Sequence, residues 1–275
     1  MRVQESTCCK ICSSTNQVLL GSVNAGRVHS KNNKFPLGKS NHCVEYFFCN
    51  DCSFIYSPSW DNKDSNFWNY EIYNESYSTH VDPDFTGKRS KDIAPIIHSI
   101  IKILKKASGK NNFQVLDYGS GESLLGKILA KFGINVDSYD PYSKFSEKAD
   151  SVKLNSYDLI IAIEVMEHAV SPIELVGILQ GLSNEDGLIL FTTKIRSEKN
   201  KDLNWPYIAP RNGHISIFSK KSLRALSLKF NMHYVDLYFF HIFTNKKIKY
   251  LDVLKLLIII IIFKINFHLK RLLSF

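Results

Sequence analysis

One stretch decides the predicted fold, Val115-Leu116-Asp117-Tyr118-Gly119-Ser120-Gly121-Glu122-Ser123. It begins with the apolar residues of a buried strand, and from Leu124 onwards apolar side chains recur at helical spacing. Gly119 and Gly121 lie between the two patterns, and because glycine has no Cβ the backbone there can turn sharply and lie against a ligand. The helix that follows presents unpaired N–H groups. The stretch therefore predicts a nucleotide-type crevice at the carboxyl end of a strand.

Two acidic residues restrict the kind of ligand that the crevice can bind. Asp117 would repel a pyrophosphate, and Leu124 stands where the dinucleotide fingerprint needs its third glycine. An acid instead favours a ligand with a cationic or hydroxylated end, and S-adenosylmethionine has both. Asp140 lies 21 residues after Gly119, at the end of a second predicted strand over 134–139. It is placed to bind a ribose diol, although an aspartate before a proline is also a common turn.

The charge is unevenly distributed along the 275 residues. The chain carries a net charge of +9, of which residues 246–275 contribute +6, with seven basic residues against one acid. Residues 1–245 carry the remaining +3, and we do not expect nucleic acid as a partner. The composition excludes a disordered or fibrous protein, and the polar Met1–Lys10 segment has no apolar run of the kind an export signal needs.

All six cysteines fall in the first fifth of the chain. Four of them form the knuckles Cys9-Lys10-Ile11-Cys12 and Cys49-Asn50-Asp51-Cys52, which are separated by 36 residues. In a chain without an export signal this spacing favours metal ligands over disulfides, and it predicts one structural Zn²⁺ bound by Cys9, Cys12, Cys49 and Cys52. The alternative is a set of unligated thiols in a loop.

Strands alternate with helices through the centre of the chain. A helix is predicted over 88–106, a short third strand over 151–154, a buried strand over 157–163, and another over 187–192. A helix to Phe230 and a terminal strand over 232–240 complete the pattern. Strands that alternate with helices predict an α/β fold with a doubly wound, Rossmann-like parallel sheet.

The order of the motifs resembles that of class I S-adenosylmethionine-dependent methyltransferases over about residues 88–240. The motifs are Leu116 to Gly121, Tyr139-Asp140-Pro141, Tyr157-Asp158-Leu159-Ile160, Glu164-Val165-Met166-Glu167-His168 and Gly187-Leu188-Ile189-Leu190. The resemblance implies that Asp117, Gly119, Gly121 and Asp140 bind S-adenosylmethionine, and we assign Glu164 to the cofactor as well. The knuckles resemble a zinc-binding module that precedes methyltransferases of nucleotide-linked sugars. The chain lacks the further C-terminal domain of the sugar C-methyltransferases, so we expect O- or N-methylation.

The motif Glu164-x-x-Glu167-His168 has two interpretations. A similar pattern, joined by a later histidine, holds a divalent cation in small-RNA ribose methyltransferases and ubiquinone-pathway O-methyltransferases, and His214 is such a histidine. A cation such as Mg²⁺ would acidify a substrate hydroxyl. In metal-free relatives, His168 would line the pocket or act as a base. The predicted catalytic residues are therefore Glu167, His168 and His214.

The acceptor contacts are predicted outside these motifs. Trp205, Tyr207 and Arg211 precede His214, where aromatic faces suit a sugar or another ring and Arg211 suits a phosphate. The aromatic stretch over 57–87 would either cover the mouth of the pocket or form a packed linker.

The tail over 250–267 is mostly apolar but contains charges and is too short to span a membrane comfortably. It would be an interfacial anchor on an anionic cytoplasmic leaflet, or a last core element covering the sheet edge.

The sequence thus predicts four segments, a zinc-ribbon-like module over 1–56, an aromatic linker over 57–87, a methyltransferase domain over 88–243 and a basic apolar tail over 244–275. We expect a cytoplasmic enzyme, peripheral to the membrane, that methylates a sugar, a surface-glycan precursor or a similar small metabolite. An RNA-directed methyltransferase and a non-catalytic scaffold that retains cofactor binding are the alternatives. The oligomeric state stays open.

Overall fold

A computed structural model describes residues 8–30, 32–82, 87–142, 152–246 and 252–262. The strands in chain order are β1 (Gln17–Asn24), β2 (Cys43–Cys49), β3 (Ile55–Tyr56), β4 (Val115–Tyr118), β5 (Asp137–Tyr139), β6 (Tyr157–Ile163), β7 (Ser183–Thr192), β8 (Ser216–Ile217), β9 (His233–Leu237) and β10 (Phe240–Thr244). The α-helices are α1 (Ser65–Phe67), α2 (Lys88–Ser108), α3 (Leu124–Lys131), α4 (Pro172–Leu182), α5 (Lys220–Lys229) and α6 (252–262). Short π- or 3₁₀-helices cover Trp68–Ile72, Tyr77–Val81, Met166–His168 and Pro210–Asn212.

The chain forms two compact units that are not continuous in sequence. The first unit consists of Met1–Thr86, Glu164–Ile178 and Thr193–Asn231, and the second consists of Gly87–Ile163, Leu179–Thr192 and Met232–Phe275. The four consecutive segments expected from the sequence stay a prediction.

The first unit contains a four-stranded antiparallel sheet in the order β1-β2-β3-β8. Its last strand comes from far along the chain, since Ile55 in β3 pairs with Ile217 in β8. The core of this unit is rich in aromatic side chains, which include Tyr46, Phe48, Trp60, Trp68 and Tyr207. The aromatic stretch therefore contributes buried side chains to a packed core, in addition to exposed ones such as Tyr70.

The second unit contains a six-stranded sheet in the order β5-β4-β6-β7-β10-β9. The first four strands are parallel, whereas β10 pairs antiparallel with both β7 and β9. All described residues of β4 are buried and all but one of β6 are, as expected for strands covered on both faces. The predicted mixed α/β fold with a central, mostly parallel sheet is confirmed.

Two strand predictions need correction. The stretch over 232–240 is not one strand, because β9 ends at Leu237 and a turn at Tyr238, with φ of 70°, leads into β10. The turn contains neither glycine nor asparagine, so the sequence carries no turn signal there. The third strand expected over 151–154 is not formed in its described residues 152–154.

The described part of the tail is helical. Leu256 and Ile260 of α6 are buried in the core of the second unit, together with residues of α2 and β10. None of the helices in the described ranges is long and apolar enough to cross a membrane.

Candidate functional site

The glycine turn after β4 is built by backbone hydrogen bonds to the end of β5. The N–H groups of Gly119 and Ser120 donate to the carbonyl oxygen of Tyr139 at 2.8 and 3.2 Å. Gly119 and Gly121 have φ of 72° and 55°, in the left-handed region that favours glycine. A Cβ added at Gly121 would meet no atom within 4 Å, so the backbone has open space on that side.

Asp140 fixes this turn from the neighbouring strand. Its Oδ2 accepts a hydrogen bond from Gly121 N at 2.9 Å, and its Oδ1 accepts one from Tyr142 N at 2.8 Å. Each carboxylate oxygen has a second lone pair, so a ribose hydroxyl can still be bound. The sequence coupled Asp140 to the glycine turn by spacing alone, and the structure joins them directly.

Asp117 adds a buried acid at the end of β4. Burial, reinforced by the charge of Asp140, raises the pKa of the Asp117 carboxyl to about 7. A cationic ligand would lower that pKa again. Among the described residues, the buried hydroxyl of Ser120 has no hydrogen-bond partner. Two acids, an orphaned hydroxyl and an open backbone face fit S-adenosylmethionine, which carries an ammonium, a sulfonium and a ribose.

The four predicted zinc ligands lie together in the first unit. The sulfur atoms of Cys9, Cys12, Cys49 and Cys52 are all within 4.8 Å of one another, and the Cys9–Cys52 and Cys12–Cys49 pairs are each 3.5 Å apart. A tetrahedral Zn²⁺ with bonds of about 2.3 Å would space its sulfurs by about 3.8 Å, so only a small adjustment is needed.

The two knuckles share the same backbone geometry. In each, the serine after the second cysteine has positive φ, 58° at Ser13 and 59° at Ser53, and donates its N–H to the carbonyl of the first cysteine at 2.9 Å. A hydrogen bond from the Cys52 thiol is the main cause that lowers the pKa of Cys9 to about 5, whereas burial raises that of Cys12 to about 11. Four converging thiols that cannot all ionise together fit a bound cation. Cys8 and Cys43 are exposed and lie outside the cluster.

A second polar cluster in the first unit is centred on Glu167 and Tyr207. Glu167 is fully buried, and its Oε1 accepts a hydrogen bond from the Tyr207 hydroxyl. Burial and the charge of Glu164 raise the pKa of Glu167 well above its ordinary value. Burial and the nearby carboxylates also raise the pKa of Tyr207, which therefore stays a hydrogen-bond donor.

His214 is held in one tautomer. Its Nδ1 lies 2.8 Å from the carbonyl oxygen of Tyr207, and a carbonyl only accepts, so we assign the proton to Nδ1. The lone pair is then on Nε2, as in a general base or a metal ligand. Burial, aided by His168, lowers the pKa of His214 well below its ordinary value, so the ring is neutral. Tyr46 supports it by donating to the His214 carbonyl at 2.8 Å.

Glu167, His168 and His214 converge, with ligand atoms all within 4.8 Å of one another. Oε2 of Glu167 is buried and has no hydrogen-bond partner among the described residues. This orphaned oxygen and the lone pair on His214 fit a divalent cation. A donor set of one carboxylate and two imidazoles is softer than the all-oxygen set that Mg²⁺ prefers, and it suits Mn²⁺, Fe²⁺ or Zn²⁺.

Glu164 is not part of this convergent set. It directly follows β6 with φ of 53°, a strained conformation for a residue with a side chain. Its Oε2 is 3.4 Å from the Tyr207 hydroxyl. Its assignment to the cofactor stays a prediction.

Sequence reasoning missed three members of the cluster. His29, 185 positions before His214, packs against that ring at 5.9 Å and receives Lys194 Nζ on its Nε2 at 2.9 Å. Thr193 Oγ1 lies 3.3 Å from the Tyr207 hydroxyl. Thr193 and Lys194 follow the end of β7, a position that can be recognised from sequence. No sequence signal marks His29.

The predicted acceptor residues have different surroundings. Trp205 is half-buried, and its ring centroid lies 5.2 Å from that of Tyr207, which is itself fully buried. Arg211 is buried, and its guanidinium donates to the Ile72 carbonyl at 2.7 Å and to Asn74 Oδ1 at 2.9 Å. Two of its nitrogens are therefore engaged in holding the aromatic stretch, and its contact with a phosphate stays a prediction.

Comparison with known proteins gives one family. The model of a family described as a methyltransferase domain matches residues 85–237. The ubiquinone biosynthesis O-methyltransferase of Actinobacillus pleuropneumoniae serotype 7 (strain AP76) is 25% identical over 122 residues, which are 35% of this chain and 52% of that protein. The match thus spans about half the length of the curated relative.

Solved structures of methyltransferases are also similar. The plantazolicin methyltransferase BpumL, in complex with a pentazolic desmethylPZN analogue and SAH, is 12% identical with a TM-score of 0.42, covering 66% of this chain and 95% of that one. A SAM-dependent methyltransferase from Archaeoglobus fulgidus is 15% identical with a TM-score of 0.36, covering 50% of this chain and 69% of that one.

Proposed function

The chain belongs to the methyltransferase-domain family, and from this premise we propose that it transfers a methyl group from S-adenosylmethionine to an oxygen, or a nitrogen, of a small acceptor. Asp117, Gly119, Gly121 and Asp140 would hold the cofactor. S-adenosylmethionine supplies a methyl group already activated on a sulfonium, so the protein has to orient the acceptor and remove its proton.

The proposal that the methylated atom is an oxygen rests on one observation, the tautomer of His214. A neutral imidazole whose Nδ1–H is donated to a carbonyl keeps its Nε2 lone pair ready to take a proton from a hydroxyl. Glu167, whose pKa is raised by burial, and the Tyr207 hydroxyl that donates to it keep the surroundings of the ring polar. The curated relative's name describes an O-methyltransferase, which supports the same atom.

For the acceptor we propose a sugar, a surface-glycan precursor or a similar hydroxylated metabolite. The half-buried ring of Trp205 suits the apolar face of a sugar ring.

We also propose two bound metals. The cysteine cluster would hold a structural Zn²⁺ that stabilises the sheet of the first unit. Glu167, His168 and His214 would hold a second divalent cation, which when bound would lower the pKa of an acceptor hydroxyl. In that case His214 is a ligand instead of the base, and activity would depend on added cation.

The test is transfer of labelled methyl from S-adenosylmethionine to a panel of nucleoside-diphosphate sugars and simple phenols, with and without Mn²⁺. We expect His214→Ala to lower kcat by roughly 10²- to 10⁴-fold, the usual contribution of a general acid or base. Activity that is lost in EDTA without a fall in melting temperature and is restored by Mn²⁺ would identify His214 as a ligand, and no effect of EDTA would identify it as the base. The control is His233→Ala, which removes an exposed histidine. Equal rates for His214→Ala and the wild type would refute both roles.

A further inference from the structure

Helix α6 is apolar on two opposite faces, and only one of them is covered. Leu256 and Ile260 are buried in the core of the second unit, with Val253 and Leu257 partly buried beside them. The other face carries Leu254, Ile258, Ile261 and Ile262, which are 40, 47, 53 and 52% exposed. We propose that this outward face of α6 rests on a bilayer that contains anionic lipid.

The spacing of the exposed residues makes them one surface. Positions 254, 258, 261 and 262 follow the i, i+4, i+7, i+8 pattern of a single helical stripe. Positions 256 and 260 follow the same i, i+4 rule roughly half a turn away. Single exposed apolar residues are ordinary on a protein surface, but four on one stripe form a continuous apolar patch of the kind that marks an interaction site.

The positive net charge of the segment that contains the stripe favours an anionic partner. Lys255 of α6 is exposed and pairs with Asp252 at 2.9 Å, and the sequence over residues 246–275 carries a net charge of +6. Basic residues beside an apolar stripe are attracted electrostatically to anionic headgroups. A second copy of this chain is disfavoured, because it would carry the same net positive charge in this segment of its sequence.

The described part of α6 is suited to lie in the interface. The described helix has 11 residues, which rise only about 17 Å, whereas the hydrocarbon core is about 30 Å thick. Because the inner face of α6 is already packed, only the outer stripe can enter the headgroup region. Binding of this kind combines buried apolar area with electrostatic attraction, and it is reversible.

The experiment is vesicle sedimentation with the full chain. We expect binding to phosphatidylcholine vesicles that contain phosphatidylglycerol, at least tenfold weaker binding to pure phosphatidylcholine, and weaker binding as NaCl is raised. The variant Ile258→Ser/Ile261→Ser/Ile262→Ser should lose at least tenfold in affinity for the anionic vesicles. Its melting temperature should stay within a few degrees of the wild type, because these side chains are half-exposed.

Leu228→Ser is the control, since Leu228 is 71% exposed on α5. It should bind as the wild type does. The proposal is overturned if the wild type does not sediment with anionic vesicles, or if the triple variant binds equally well. It is also overturned if light scattering shows a wild-type dimer that the triple variant loses and no vesicle binding is seen, because the stripe would then face a second copy.

Discussion

The buried carboxyl of Asp117 lowers the stability of the ligand-free protein when it is ionised, and we propose that it binds the cofactor. Its carboxyl is buried, and its pKa is raised from an ordinary value of 3.8 to about 7 by burial and by Asp140. The folded protein therefore binds more protons than the unfolded chain between these two values. Stability of the ligand-free protein should fall as the pH rises from about 4 to about 7, and change no further above that through this group.

We predict that Asp117→Asn stabilises the ligand-free protein at pH 8, where the native carboxyl is ionised and buried. The upper limit is roughly 4 kcal/mol, from about three pKa units at 1.36 kcal/mol each. The same variant should bind S-adenosylhomocysteine at least tenfold more weakly at pH 8, because it lacks the charge that we propose pairs with the ammonium. Thermal melts and calorimetry measure the two effects, with the exposed Asp186→Asn as control. A variant that binds normally would contradict the role of Asp117.

Gly213 allows the close approach of His168. It has φ of 89°, and a Cβ there would lie 2.8 Å from His168 Nδ1. We predict that Gly213→Ala displaces the His168 ring and lowers kcat at least tenfold. Gly109→Ala is a matched control, because Gly109 also has positive φ, 67°, but open space around it. Both variants should lose about 1 kcal/mol of stability from backbone strain. Equal kcat values in the two variants would show that the position of His168 does not matter.

At the scale of elements, one zinc ion bound by the two cysteine knuckles should stabilise the sheet β1-β2-β3-β8. We predict about one zinc per chain, lost in Cys49→Ser/Cys52→Ser, with a fall in melting temperature of the first unit. Cys43→Ser, which removes the exposed thiol at the first residue of β2, should keep both zinc and stability. Metal analysis of the purified proteins measures the result. Wild-type protein free of zinc would contradict the assignment.

Elements with strong local patterns were predictable from sequence. The buried runs of β4 and β6 and the apolar spacing of α2 are visible because hydrophobic periodicity reports burial directly. The pairing of β3 with β8 was not predictable, since it joins residues more than 150 positions apart through two-residue strands. The hairpin of β9 and β10 was missed because its turn at Tyr238 uses no glycine or asparagine.

At the scale of the whole molecule, some residues of the candidate site were predictable from sequence and others were not. The glycine turn, Asp140 and the Glu167-His168 pair are close in sequence to the strands that position them, so motif spacing predicted them. His29 and Tyr46 reach His214 only because the first unit is assembled from three separate segments of the chain. Contacts of that kind depend on tertiary packing, which no local pattern encodes.

The most direct test of the central claim is calorimetric titration of the full chain with S-adenosylhomocysteine. We predict micromolar binding to the wild type and at least tenfold weaker binding to Asp140→Ala, because Asp140 holds the glycine turn and in our proposal also binds the ribose. The ligand should also raise the melting temperature of the wild type. No detectable binding to the folded wild-type chain would contradict the methyltransferase account.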